Sequence, residues 1–596
     1  MSDINTINIK VPRQDLDKSS HFDISAAAVD AWVEQLPMAN LSHTTRQLYS
    51  ALSELNKVRI PPGKRMAVLE KLLRPIYFVS KNLSKHYLNK PIVLPEQSRK
   101  VADLAQAIHS QLATAYTIVA THTAALGKKA DVNQPAQLIA QALHRATTNH
   151  TLNIQHHFQL YEPVKQGVWY NLHQFYKLAC QHNILNTEVI DEEFGSCTLQ
   201  SSYIRALLLG CCNPNQLRQD DFSGIFTPLI HWAELCQLQP AGADNLFILD
   251  TSHDSAPVYQ GLFKGEISSS CLGLDTQSLI KELQALQQKT EPTSLRANGD
   301  GYSVSLDLIR HLIVSWGSIS KRTFMRLEAT DTLEICIGLS ATHHYLSGEL
   351  NFDALMEERG ARTFSMQHEN PFLKSQTNLY RQKDVWDSPY ETNQRQTQIS
   401  LESIDFYMRD NEKPHEQLTK KYRSYNVRTI NASAHGYRIE WPNETDAQIK
   451  TGEIIGVKEA QSHNWSIGVI RWVSRNDQTI NLGLELISPS AAPYGARLIN
   501  KTGSNSEYMR VLVLPEVSIT KQPVTVITPK VPFKAGLKVT LNQRGKEVVV
   551  TLTKKVNKTG AYHQFEFRRI GSINKNNDTE TSTEHKDDFD SLWDNL

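Results

Sequence analysis

Two clusters of side chains carry the chemistry that this 596-residue sequence offers. The first is Ser320-Lys321-Arg322-Thr323-Phe324-Met325-Arg326, in which two guanidinium groups four residues apart stand beside an ammonium. Arginine stays charged, is planar, stacks on flat rings, and pairs bidentately with phosphate oxygens or the O6/N7 edge of guanine. At the end of a helix the same pair would simply favour the C-terminal dipole. The second cluster is Asn431-Ala432-Ser433-Ala434-His435-Gly436, which lies between two strand-like runs, Asn426–Ile430 and Tyr437–Trp441. It sets an amide, a hydroxyl and a residue without Cβ at one sheet edge. Such residues suit a nucleotide, and they also suit a tight hairpin turn.

The elements that must position these clusters fall into distinct textures. Residues 1–22 read as an unstructured lead-in, and 23–240 as a helical domain. Asp23 and Ser42 are candidate caps, Pro61-Pro62 opens a third helix, and Val101, Leu104, Ile108, Leu112, Ala115 and Val119 form the apolar stripe of a fourth. Further helices are expected near 134–145, 167–184, 199–209 and 223–237. Residues 241–318 read as a mixed α/β connector, with a strand at Asn245–Asp250 and helices at Leu279–Gln288 and Ser305–Trp316. Thr332–Leu339 alternates as a strand. A segment rich in Gln, Asn, Glu, Arg and Ser, about 347–418, then interrupts the pattern as a long insertion with short docked pieces.

After the insertion, Tyr422–Ile430 resumes strand character and runs into Asn431. Three more strands follow in Gly452–Val457, Trp465–Val473 and Ile480–Ile487. Arg-x-x-x-Arg, a strand, a second strand ending in Asn-x-Ser-x-x-Gly, and then W-x-x-G-x-I-R-W-V and L-G-L-E-L together resemble the PilZ domain family. The resemblance covers about 319–349 and 420–490. It implies a small β-barrel over 319–490 that binds the second messenger cyclic di-GMP in a bacterium. It implies that Arg322 and Arg326 wrap the ligand, that Asn431 and Ser433 bond its base edges or phosphates, that Gly436 permits close approach, and that Lys321 adds charge. About a hundred residues separate Arg326 from Asn431, more than in ordinary PilZ domains. Loop closure cost grows only logarithmically with length, so the gap does not forbid one site. A rival alignment takes Arg423 and Arg428 as the arginine pair, at a spacing of five.

Past Pro489, residues 491–571 read as a second small β-barrel or sandwich, with Asn542-Gln-Arg-Gly545 as a hairpin connection. Residues 572–596 read as a disordered acidic tail in which Phe589, Leu592, Trp593 and Leu596 share one helical face. The fold class expected is therefore multidomain α+β: an all-α N-terminal domain, a PilZ-like β-barrel, a second β domain and the tail.

Composition narrows the function. Hydrophobic residues make up 40% and charged residues 21% of the chain, and the net charge is +1. Neither a strongly basic field for DNA or RNA nor an acidic one is indicated. No apolar run is long enough to span a membrane, and the polar start lacks the apolar core of a signal peptide, so a cytoplasmic protein is expected. Seven scattered cysteines without C-x-x-C suit reduced, buried thiols. His144, His150, His156 and His157 lack metal-ligand spacing and read as exposed or core-edge. The Asp250-Thr-Ser-His-Asp254 run lacks a second aspartate for an aspartyl-phosphate site, and no phosphate loop, nucleophile elbow or zinc-hydrolase spacing occurs. The reading is a receptor without enzymatic activity, cofactor or metal, whose ligand is cyclic di-GMP and whose helical domain acts on an unidentified protein partner. Motility, pili and exopolysaccharide (biofilm) control are the processes the family resemblance implies. The competing reading is a PilZ-like scaffold that works through protein contacts without nucleotide.

Overall fold

The structure is a computed structural model that describes residues 7–130, 132–242, 245–288, 294–297, 300–318, 327–329, 331–357, 422–433, 435–442, 447–460, 462–476, 479–499, 506–516 and 523–570. The chain divides into two compact units. One comprises Met1–Thr323 with Pro442–Gln448 and Trp472–Ile480; the other comprises Phe324–Trp441, Ile449–Arg471 and Asn481–Leu596.

The first unit is built on helices α1 (Ala26–Glu34), α2 (Leu41–Leu55), α3 (Pro62–Ser84), α4 (Glu96–Leu126), α5 (Pro135–Gln159), α6 (Val168–Gln181), α7 (Leu199–Gly210), α8 (Gln219–Phe226) and α9 (Leu229–Glu234). Ser25, not Asp23, caps α1, and Asn40, not Ser42, caps α2. Pro228 separates α8 from α9 within the single helix expected at 223–237. The expected lead-in is described from residue 7 onward. Its Ile7 and Ile9 pack on the helical core, and Leu16 bridges Val58.

Helix α5 is the largest departure. It runs on to Gln159 because the polar residues that interrupt its stripe are buried, several of them bonded to residues outside the helix. His144 is fully buried between Ser202 Oγ (2.6 Å) and Asp191 Oδ2 (2.8 Å). Arg145 donates to Asp191 Oδ2 (2.5 Å) and Glu70 Oε2 (3.0 Å), and Asn149 bonds His109 Nδ1 (2.9 Å). His150, His156 and His157 are buried as well. The exposed or core-edge expectation for these four histidines is therefore overturned: α5 is enclosed on all sides, and its histidines serve as core residues. Of the cysteines, six are buried and Cys180 is exposed; all seven are free thiols.

A small ladder, β1 (Glu188–Val189) with β2 (Cys197–Thr198), and a four-stranded antiparallel sheet complete this unit's regular structure up to residue 275. The sheet comprises β3 (Gln237–Pro240), β4 (Phe247–Asp250), β5 (Val258–Tyr259) and β6 (Cys271–Asp275), in the order β3-β6-β4-β5. Asp250 ties its own turn, accepting from Ser252 and Ser270, which holds its carboxyl low, at about 2. Helix α10 (Gln277–Gln288), a hairpin of β7 (Ser294–Ala297) and β8 (Asp300–Ser303), and α11 (Leu306–Gly317) follow. Trp316 of α11 is fully buried and its indole donates to Leu208 O (3.1 Å).

The second unit holds two closed barrels. The first is built from β9 (Leu327–Glu328), β10 (Thr332–Ile337), β11 (Ser424–Ser433), β12 (Gly436–Trp441), β13 (Ile454–Glu459), β14 (Ser466–Arg475) and β15 (Ile480–Ser488), in the order β10-β13-β14-β15-β12-β11. The β10–β11 pairing, Leu333 opposite Val427 and Ile335 opposite Tyr425, closes it. That closing ladder joins the two sides of the insertion. Helix α12 (Leu339–Leu346) and the short α13 (Phe352–Met356) lead into residues 358–421, which lie outside the described residues. Phe352 stacks under the Arg510 guanidinium at 4.6 Å, and Met356 sits over Gly495, so α13 lies on the second barrel.

The second barrel runs β16-β17-β18-β21-β20-β19, formed by β16 (Ala492–Leu498), β17 (Met509–Leu514), β18 (Thr525–Pro529), β19 (Lys538–Gln543), β20 (Lys546–Lys558) and β21 (Tyr562–Arg569). The β19–β20 hairpin turns through Arg544 and Gly545, both at positive φ. An apolar cluster shared by Ile454, Ile467 and Val469 with Leu512, Leu514, Ile527 and Tyr562 joins the two barrels. No described helix is long and apolar enough to cross a membrane.

Candidate functional site

The residues of Asn431-Ala-Ser-Ala-His-Gly436 stand where β11 turns into β12. Ser433 pairs with Gly436, and its hydroxyl donates to Gly436 O (3.2 Å). The ladder shifts register between Thr429 and Asn431, a bulge that re-aims Asn431. Beyond the bulge, Asn431 lies opposite Arg438 of β12 on one side and Glu328 of β9 on the other. Arg438 reaches toward Asn481 of β15 at 3.5 Å. Glu328, Asn431 and Arg438 thus lie in one row across three strands, and the Arg438 side chain extends that row toward Asn481 on a fourth.

That row is chemically incomplete. Asn431 Oδ1 is buried and accepts no hydrogen bond among the described residues, and Arg438 Nε is buried and donates none there. A buried acceptor and a buried donor without partners each cost about 1–3 kcal/mol. They are the kind of groups that a polar ligand or ordered water completes.

Gly436 has a different reason to be glycine. A Cβ there would lie 1.9 Å from Leu484 O and 2.9 Å from its carbonyl carbon. The same stretch of β15 donates Leu486 N–H to His435 O (2.9 Å). Gly436 therefore lets β12 meet the Leu-Gly-Leu-Glu-Leu strand at backbone contact, and this fixes the end of β11–β12.

Lys321, Arg322 and Arg326 lie outside the described residues. The described chain resumes at Leu327, which pairs with Ala432, while Glu328 pairs with Asn431. Leu327 itself is 70% exposed. The rival arginine of β11, Arg428, faces Glu440 at 4.0 Å across the ladder. Arg438 and Asn481 escaped the sequence reading. The alternation of Gly436–Trp441, with Ile439 and Trp441 buried, was the available signal that Arg438 lies on the other face. No group of described residues has the make-up of a metal site.

Three family models match the chain in succession. They are described as the N-terminal domain of the cyclic-di-GMP receptor FimW (residues 27–242), its middle PilZ domain (246–493) and the FimW C-terminal β-barrel domain (494–570). The middle model takes in the four-stranded sheet strands from β4 onward together with the first barrel. The cyclic-di-GMP receptor FimW of Pseudomonas aeruginosa is 33% identical over 623 aligned residues, covering 99% of this chain and 99% of that protein. No solved structure matches the chain.

Proposed function

This chain belongs to the cyclic-di-GMP receptor FimW family, and on that premise we propose that its ligand is held at the first barrel by Lys321, Arg322 and Arg326 together with Asn431, Ser433 and Gly436. The chain is a non-catalytic receptor for cyclic di-GMP built around a PilZ domain. The observation that carries the site assignment is the pairing of Leu327 with Ala432 and of Glu328 with Asn431. Arg326 is bonded to Leu327, and successive Cα atoms are about 3.8 Å apart. Leu327 and Glu328, which follow Arg326 directly in the sequence, pair with the Asn-x-Ser-x-x-Gly strand whatever the length of the insertion, and this supports the assignment of the arginines to the site. The unmet Oδ1 of Asn431 supports the same reading, as does the unmet Nε of Arg438 in the row beside it. Asn431 offers its amide to a guanine edge. The arginines offer planar cations to two phosphates and two purine faces.

Calorimetric titration of the full chain with cyclic di-GMP tests this assignment. Arg322→Ala, Arg326→Ala and Asn431→Ala are each expected to weaken affinity by about tenfold to a hundredfold, the scale of a lost hydrogen bond to a charged group. Arg428→Ala, at the residue facing Glu440, is expected to leave affinity within about twofold. Unchanged affinity in all three site variants would overturn the assignment. The helical unit is the proposed effector module, acting on a protein partner from a cytoplasmic location without contacting nucleic acid. Pull-down of one partner in the presence of cyclic di-GMP and not in its absence is the expected result.

A further inference from the structure

The near-neutral total charge conceals a strong local surplus. Between Thr525 and Ile570 ten lysines and arginines face two glutamates, Glu547 and Glu566. Glu547 is already engaged by Arg497 (3.0 Å) and by the Tyr508 hydroxyl (2.5 Å). This part of the second barrel therefore carries a surplus of positive charge.

Its arrangement is specific. The segment joining β18 to β19, Lys530-Val-Pro-Phe-Lys-Ala-Gly-Leu-Lys538, exposes Lys530, Lys534 and Lys538. Between them it exposes two aliphatic side chains, Val531 at 64% and Leu537 at 36%. The segment is held firmly. Phe533 is fully buried in the barrel core, and the Phe533 backbone is hydrogen-bonded by His563. Gly536 N donates to Leu552 O (2.7 Å), and Leu552 N to Leu537 O (3.0 Å). Lys530, Lys555 and Lys558 all lie close enough to His563 to disfavour its protonation. Exposed Val556 sits in sequence between the last two of them. Lys538 and Arg568 flank Thr551 in one row across three strands.

We propose that this face of the second barrel is a peripheral docking surface for an anionic phospholipid bilayer. Lysine stems bury their methylenes along the headgroup boundary while their ammonium groups meet phosphate, and Val531 and Leu537 enter the acyl edge. Exposed aliphatic residues set among lysines contribute nothing to phosphate contacts on a nucleic acid. Single-stranded nucleic acid would want aromatic platforms for its bases. The aromatic side chains of this segment are instead inward: Phe533, Tyr562 and Phe565 are all at 1% exposure or less. The bilayer is therefore the favoured polyanion.

Flotation of the full chain with vesicles of phosphatidylcholine alone, or of phosphatidylcholine and phosphatidylglycerol in equal parts, tests the proposal. Binding to the anionic vesicles only is expected. Lys530→Glu/Lys534→Glu/Lys538→Glu is expected to weaken it by at least about tenfold. Val531→Ser/Leu537→Ser leaves the charge intact and is expected to weaken it by about threefold to tenfold, with residual binding at high salt abolished. All these side chains are exposed, so unchanged thermal unfolding certifies the variants. Absence of binding to anionic vesicles overturns the proposal. So does an unaltered affinity in the Val531/Leu537 variant combined with tight binding to a duplex oligonucleotide, which would assign the surface to nucleic acid.

Discussion

Gly436→Ala is expected to destabilise the first barrel by about 3 kcal/mol or more, well above the effect of an ordinary surface substitution. The added methyl would be 1.9 Å from Leu484 O, 2.9 Å from the Leu484 carbonyl carbon and 3.1 Å from Glu485 Cα. All three are backbone atoms of β15, so no side chain can swing aside. Relief requires β12 and β15 to separate, and that breaks the Leu486 N–His435 O bond beside the site. The variant should therefore show two linked losses: a lower urea midpoint, and weaker cyclic di-GMP binding by the folded fraction at low denaturant. Gly63→Ala in helix α3 is the control, since its Cβ meets only Val132 at an ordinary 3.4 Å; it should be neutral or slightly stabilising. A Gly436→Ala chain with an unchanged midpoint would show that β12 and β15 are not packed as described.

This glycine also illustrates what the sequence could convey. Its place in Asn-x-Ser-x-x-Gly marked it as special, but the atom that requires it, Leu484 O, lies on a strand nearly fifty residues later. The strands of the first barrel were legible because Thr332–Ile337, Gly436–Trp441 and Ile480–Ser488 carry β-branched or alternating residues that match a barrel wall. The closing β10–β11 ladder was legible only as a consequence, because the insertion between its strands leaves no local turn signal. Strand β16, Ala492–Leu498, was missed. Ala-Pro-Tyr-Gly-Ala reads as a turn, yet it pairs with both β17 and β19, and Gly495 makes room there for Met356 of α13.

Helix α5 failed for the opposite reason. Periodicity of apolar residues cannot announce a helix whose buried face is polar. Thr147, Thr148, Asn149 and Thr151 look like a loop until their burial, and the partners of Thr148 and Asn149 on other helices, are known. Arg205, for example, donates to Thr148 Oγ1 at 2.7 Å. At the site, the motif residues on β11 were visible as types at a spacing. Arg438 and Asn481 were not, because their importance lies in the row they form with Asn431 across strands.

The buried histidines of the helical unit lead to a second large effect, the loss of helical structure in mild acid. Burial holds His109, His150, His157 and His173 near pKa 4 and pushes His156 well below the ordinary histidine value, because desolvation disfavours the imidazolium. Nδ1 of His150, His156 and His157 has no hydrogen-bond partner to offset that cost. In the unfolded chain each of these groups titrates near its ordinary value of about 6.5. Between about 6.5 and 4 the unfolded state therefore binds protons that the native state refuses, and stability falls as pH falls, by up to about 1.4 kcal/mol per pH unit for each such histidine. His144 works the other way. Asp191 raises its pKa, so its contribution is present below the ordinary histidine value and fades as pH rises through the folded one. Asp191 is itself held well below the usual carboxylate range, partly by His144 and Arg145, and its contribution disappears only in stronger acid. Burial lowers His86, His122 and His311 as well, so the lowered histidines outweigh His144 and set the sign. The unfolding free energy from urea titration followed by helical circular dichroism is expected to fall between pH 7 and pH 5, by up to about 2 kcal/mol for each such histidine. His157→Gln should flatten that dependence by roughly one histidine's share. An identical midpoint at the two pH values would show that these imidazoles are not enclosed in the native core.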